Sequence, residues 1–308
     1  MRKFFKWLGI VVLCLIVLIV VASLVMINRY KGMAKVTYPT KASEIAILTD
    51  SASMIRGASM YSSICSDCHG GDLSGTEFFN VPALGVIPAP NITRGGRTKN
   101  YSDLDYVRTI RYGVKPDGHG LFIMPVEDFN YMSDADLGAL IGFLKSVPPS
   151  DKTWPDPKFT IMAQILAGAG QFGTLYNAEL LDLNDNKPRT APEPGTTVAY
   201  GEYTMRIHGC WTCHGEHLNG NKTPDPASPP GANLTTKGNF GKWTLDQFKD
   251  VLRTGTTPEG KKLDPKYMPW TGLGTMTDME LEALYNYIRS IPPMDDDDYL
   301  AKYKEKNK

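Results

Sequence analysis

The sequence has 308 residues, room for about two domains of ordinary size, and its 42% hydrophobic content is enough for folded cores, which excludes disorder throughout. Lys plus Arg and Asp plus Glu both total 33, so there is no basic footprint of the kind nucleic-acid binding needs, and nucleic acid is not expected as a partner. Four of the five cysteines sit in two short motifs, which leaves no disulfide framework to be built.

At the N-terminus Arg2, Lys3 and Lys6 precede an apolar run from Leu8 to Ile27 that carries no charge and is long enough to cross a hydrocarbon core. Residues 1–30 therefore read as an uncleaved single-pass anchor, with a signal peptide cleaved near Ala22 as the alternative. LVMI after Ala22 extends the run past the usual secretory core. Cys14 lies inside the run and reads as membrane packing; the large Leu13 before it does not fit a lipoprotein signal. Arg29, Lys31 and Lys35 on the far side remove any charge asymmetry that would orient the helix.

Residues 50–150 form one unit and 197–293 repeat it. The first contains CSDCH, Cys65 to His69, and the second CWTCH, Cys210 to His214. A bare CxxC fits zinc, a redox dithiol or haem, whereas CxxC followed by His is the attachment pattern of c-type haem. Cys65, Cys68, Cys210 and Cys213 are read as thioether attachment points and His69 and His214 as proximal iron ligands, so two covalently bound haem c groups are expected. Further on, PNIT at Pro90 answers to ANLT at Ala232, and YSDLDYVRTIRYG at Tyr101 answers to WTLDQFKDVLRTG at Trp243. Asn91 and Asn233 head formal glycosylation sequons, better explained as a repeated turn. Met132 to Pro149 pairs position by position with Met276 to Pro293, and each reads as a helix with one apolar stripe: Leu137, Leu140, Ile141 and Leu144, then Leu281, Leu284, Tyr285 and Ile288. Ser133 and Thr277 are expected N-caps, Thr277 with Glu280 as a capping box, and Pro pairs stop both helices. Little strand pattern is visible.

The sixth iron position decides between carrying electrons and doing chemistry on a small molecule. Met124 and Met268, each directly before a Pro, lie 55 and 54 residues beyond the proximal histidines and are the distal candidates. Met132 and Met276 precede N-caps and read as core, as do Met60 and Met205 ahead of the motifs. His119 is a weaker rival for the first iron because the second unit has Lys261 or Lys262 there. His208 and His217 lack counterparts and read as surface residues or as neighbours of a ligand. Each proximal imidazole should give its other nitrogen to a backbone carbonyl, with Pro88 and Pro230 as candidates.

Residues 151–196 form a linker: WPDP, an apolar segment from Phe159 to about Leu183 that reads as a helix packed between domains, then the Pro-rich NDNKPRTAPEPG. The tail, residues 294–308, reads as a solvated extension. The expected fold is all-α, two tandem haem-binding domains of about a hundred residues each joined by the linker and preceded by one transmembrane helix.

Each unit resembles a class I cytochrome c domain. CxxCH, PNIT, YSDLDYVRTIRYGV, KPDGHGLF, MP and MSDADLGALIGFLKSVPP are together similar to the cytochrome c subunits of membrane-bound bacterial alcohol and gluconate dehydrogenases. Those subunits usually carry three haem motifs and a C-terminal anchor, whereas this chain has two motifs and an N-terminal apolar run. The resemblance implies axial pairs His69 with Met124 and His214 with Met268, and a close helix crossing at Gly57 against Phe143 and Gly201 against Tyr287. Haem c is attached outside the bacterial cytoplasm, so the haem domains are expected in the periplasm, anchored to the inner membrane. The expected function is electron transfer from a dehydrogenase or quinol-oxidising complex to a terminal oxidase or soluble cytochrome. The alternative is a dihaem redox enzyme, such as a peroxidase or thiosulfate dehydrogenase; zinc or dithiol chemistry at CxxC is a third reading.

Overall fold

The computed structural model describes residues 2–223 and 228–306. In chain order the helices of the first half are α1 (Arg2–Met33), α2 (Ser51–Met60), a π turn over Tyr61–Cys65, α3 (Ser66–His69), α4 (Asp103–Tyr112), α5 (Val126–Phe129), α6 (Asp134–Ser146) and α7 (Ile161–Gly168). The second half contains α8 (Val198–Ile207), α9 (Cys210–His214), α10 (Leu245–Thr254), α11 (Trp270–Leu273), α12 (Asp278–Ser290) and α13 (Asp298–Lys306). Met1, residues 224–227 and the last two residues of the expected tail lie outside the described residues.

The chain is helix-rich rather than purely helical. An antiparallel sheet joins β1 (Thr76–Val81), β2 (Gly85–Ala89) and β3 (Lys158–Phe159), and β4 (Asn219–Asn221) pairs antiparallel with β5 (Gly231–Asn233). These strands hold two to six residues, too few for a period-two pattern to stand out in sequence.

The repeat folds twice around the same helix pair. α2 crosses α6 and α8 crosses α12, each pair brought close by a glycine: a Cβ on Gly57 would strike the Ala139 carbonyl and Phe143, and one on Gly201 the Ala283 carbonyl and Tyr287. This is the crossing the resemblance implied. Ser133 accepts from Asp136 N (3.0 Å), and Thr277 and Glu280 close the capping box, so both crossing helices start where the sequence places them. Their stripes enter two apolar clusters, one with Leu137, Leu140, Ile141 and Leu144 and one with Leu281, Leu284 and Ile288. Met60, Met132, Met205 and Met276 are all fully buried, as core residues should be.

Two expectations about the connecting segments are corrected. The apolar helix of the linker, α7, does not sit between the repeats; Ala163, Ala167 and Gly168 are buried, and Gly168 presses on the main chain of Met26 in α1. Small residues let the two helices approach closely, which an apolar count alone does not reveal. The rest of the linker wraps the first repeat, with Tyr112 Oη donating to the Asp185 carbonyl (2.5 Å) and Asp134 N to the Arg189 carbonyl (2.8 Å). The tail is not wholly solvated: α13 buries Leu300 against Gly220, and Asp297 N donates to the Asn219 carbonyl (3.1 Å).

Candidate haem centres

The two CxxCH motifs occupy equivalent short helices, α3 with its preceding π turn and α9. Gly57 and Cys65 are eight residues apart, Gly201 and Cys210 nine. Just before the second motif Gly209 takes a left-handed conformation (φ 66°) that glycine adopts without strain, where the first repeat has a π turn. Each motif ends at a glycine, Gly70 or Gly215, also at positive φ, which turns the chain away immediately after the histidine.

The imidazoles are oriented alike. His69 Nδ1 lies 3.0 Å from the Pro90 carbonyl and His214 Nδ1 2.8 Å from the Ala232 carbonyl, so each Nδ1–H donates and Nε2 keeps its lone pair free. Burial pushes both pKa values down, partly opposed by these hydrogen bonds, and favours the neutral, ligating form. The accepting carbonyls stand two residues beyond the expected Pro88 and Pro230. The reason is the next residue in each case. Asn91 Oδ1 accepts from Thr93 N (2.9 Å) and Thr93 Oγ1 (2.7 Å) while its Nδ2 donates to the carbonyls of Ser150 (2.7 Å) and Lys152 (2.9 Å). Asn233 makes the same bonds to Thr235 and donates to the Met294 carbonyl (3.0 Å). The clamped asparagine holds the peptide before it, Pro90 or Ala232, against the imidazole. Both amides are buried and fully engaged, so the repeated turn explains them and the sequon does not.

Met124 and Met268 each follow a loop and precede a Pro and a one-turn helix, α5 or α11. Both are half-buried; Met124 packs against an apolar cluster that Cys65 also joins, and Met268 against one that Cys210 joins. Asn177 of the linker donates to the Met124 carbonyl (2.8 Å), a support the sequence did not signal. His119 is over a third exposed, close to Asp117, and its backbone pairs with Thr37; His217 is exposed. Two thiols and a neutral imidazole on one turn are the donor set covalent haem c requires, and the residues present fit the group at both motifs.

The repeats meet through these same segments. Asp67, third residue of the first motif, accepts from Gly272 N and Thr271 Oγ1 of α11, both at 3.2 Å. Thr212, third residue of the second motif, donates to Asp128 Oδ1 of α5 (3.1 Å). Asp128 and Gly272 are each four residues beyond Met124 and Met268, so the two contacts are reciprocal, with the carboxylate on opposite partners. Ser63 and His208, each two residues before the first motif cysteine, bond to one another (3.1 Å). Arg56 pairs with Asp136 and with Glu280, the matching N3 positions of α6 and α12. Equivalent residues meeting one another define a pseudo-two-fold axis through Ser63, His208 and Arg56. Tyr203 Oη adds a bond to Asp136 (2.6 Å) and accepts from Ser133 N (3.0 Å). His208, read from sequence as a surface residue or a neighbour of a ligand, is half-buried at this junction, its pKa lowered by burial. Asp128 is nearly fully buried; burial, then the charge of Glu127, pushes its pKa up to about 7 against the pull of Thr212, Trp211 and Arg206.

A helix-rich unit whose CxxCH turn, clamped imidazole and Met–Pro turn converge on one core is the class I cytochrome c arrangement. Residues 198–292 match the family model for cytochrome c, and this match with the relatives below supports the class I cytochrome c family. It is 24% identical over 319 residues to the cytochrome c subunit of a quinone-dependent alcohol dehydrogenase from Gluconacetobacter polyoxogenes, covering 87% of this chain and 63% of that protein. It is 32% identical over 121 residues to the fructose dehydrogenase cytochrome subunit of Gluconobacter japonicus, covering 35% and 24% of the two chains. A nicotinate dehydrogenase subunit from Pseudomonas putida is 24% identical over 252 residues, covering 74% and 20%. The chain thus spans about 63% of the length of the alcohol dehydrogenase subunit it matches. The cytochrome c domain implies covalently bound haem c.

Proposed function

We propose that the chain is a membrane-anchored dihaem cytochrome c that carries single electrons between a periplasmic dehydrogenase or quinol-oxidising complex and a terminal oxidase or soluble cytochrome. The carrying observation is the reciprocal contact, in which each haem-attachment turn abuts the Met–Pro turn of the other repeat and both attachment points share one interface. In this reading residues 50–150 and 197–293 are tandem domains, residues 1–30 the inner-membrane anchor and residues 151–196 the linker. The similarity to cytochrome subunits of alcohol and fructose dehydrogenases supports a dehydrogenase as donor.

Haem c supplies a one-electron iron couple when bound. Cys65, Cys68, Cys210 and Cys213 would tether it, and the His69 and His214 Nε2 atoms, left free by the Nδ1 bonds to the Pro90 and Ala232 carbonyls, would hold the iron. Met124 and Met268 would supply a second, sulfur ligand, soft and neutral, which favours ferrous iron and raises the potential relative to a second imidazole. Held by a histidine and a methionine of the protein, the iron would offer oxygen and peroxide no open site.

The test is a haem count with the visible spectrum of the reduced protein, with and without carbon monoxide. Two haems per chain and an unchanged spectrum are expected. One haem per chain would retire the dihaem reading; a shift in half the haem would put the redox-enzyme reading, a peroxidase or thiosulfate dehydrogenase, ahead.

A further inference from the structure

We infer that α7 and the turn after it make a second membrane contact, an interfacial element seated at the boundary of headgroups and acyl chains beside the end of α1. The inference rests on reading α1 as a membrane anchor; among the described residues α1 alone is long and apolar enough to cross a bilayer.

Height is set by the packing of α7 on α1. Nearly all of α1 is exposed, but Ser23, Met26, Ile27, Tyr30 and Met33 are half-buried and form one helical stripe. Gly168, at the C-terminal end of α7, rests on the Met26 carbonyl, inside the charge-free run that ends at Ile27. Phe159, just before α7, meets Tyr30 edge to face with ring centroids 5.8 Å apart, beside Arg29, the first charge after that run. The segment therefore descends from the charged rim to the end of the hydrocarbon-spanning stretch, and its eight residues are too few to go further.

Among the described residues nothing covers a large part of the apolar surface of this segment. Ile161 and Met162 are 68% and 56% exposed, and Phe172, in the turn that follows, is 39% exposed. Gln164 turns its amide inward, Nε2 donating to the Phe159 carbonyl (3.1 Å). Such a surface is costly in water and favourable at a lipid boundary. The flanking charge agrees: no Asp or Glu precedes Glu44, and between Asp156 and Glu179 the one charged residue is Lys158. With Arg29, Lys31 and Lys35 this makes a cationic rim suited to anionic headgroups. Two contacts instead of one tether hold the first repeat at a set height and tilt above the bilayer.

The test places a nitroxide at Phe172→Cys in a Cys14→Ser background, in haem-loaded protein reconstituted into phosphatidylcholine and phosphatidylglycerol vesicles. Collisions with oxygen, which concentrates in lipid, are compared with collisions with a water-soluble nickel chelate. Labels on native Cys14 and on Glu44→Cys in the Cys14→Ser background mark lipid and water. The Phe172 label is expected to show an oxygen-to-nickel ratio several-fold above that of the Glu44 label, and a label at Met162→Cys should move the same way. Ratios at both positions equal to that of the Glu44 label, with the Cys14 label deep in lipid, would overturn the contact and spare the anchor. A water-exposed Cys14 label would overturn the anchor reading and this inference with it.

Discussion

Each CxxCH imidazole is held through a relay that begins with an asparagine side chain: Asn91 or Asn233 clamps its turn, the preceding carbonyl is fixed, and the histidine tautomer follows. Asn233→Ala should leave haem attached but loosen that carbonyl, making the imidazole a weaker base, which should raise the reduction potential and cost about 1–3 kcal/mol of stability, read by redox titration and thermal melting. On the proposed dihaem reading, Met268→Ala should open one of two irons, so that carbon monoxide shifts about half of the reduced spectrum, and Met124→Ala should open the other. Asp128 carries the clearest pH dependence. Its folded pKa, about 7, lies above the 3.8 of an unperturbed carboxyl, so the folded chain holds a proton there that the unfolded chain has lost. Stability from this group is therefore full below about pH 4 and declines as pH rises to about 7, by on the order of 4 kcal/mol. Asp128→Asn should flatten that slope and raise the melting temperature at pH 8; an unchanged slope between pH 4 and 7 would refute this account.

The terminal helices were legible down to their caps because a 3.6-residue stripe, an N-cap hydroxyl and a Pro pair are all local signals. The glycine crossings are energetic elements of another kind. Gly201→Ala would gain about 1 kcal/mol of helix propensity, but its Cβ meets the Ala283 backbone, which cannot give way. Overpacking of about 1–3 kcal/mol should win, seen as a lowered melting temperature with haem still bound. The hairpin strands escaped notice because their pairing partners lie several residues away and neither strand is long enough to advertise itself. α7 was legible as a helix but its partner was not, since Ala163, Ala167 and Gly168 suit close packing against any smooth helix.

Across the whole molecule the repeats are joined both by polar contacts and by an apolar seam, in which Tyr200, Tyr203, Ile207 and Ala283 of the second repeat enter the core cluster of the first. Arg56 is the hub, serving two carboxylates from two helices. Arg56→Met should strand Asp136 and Glu280 without their cation, a loss of about 3–5 kcal/mol. Calorimetry should then resolve two unfolding transitions in place of one, because the repeats would no longer melt as a unit. Neither CxxCH nor the Met–Pro pairs hinted that each motif docks on the turn of the other repeat. Asp67 and Asp128 are ordinary acidic residues in sequence, and only their reciprocal placement gives them meaning.

Motif and repetition could be read from the order of residues alone: where the two CxxCH turns lie, which methionines stand in register, where the crossing helices begin and end. Those properties depend on spacings of a few residues along one chain, where covalent geometry and helical periodicity govern. The carbonyl that orients each imidazole, the junction of the repeats, the docking of α7 on α1 and the return of α13 depended on the folded chain. They arise between segments tens to hundreds of residues apart, where shape and burial choose among partners that local sequence makes equally acceptable.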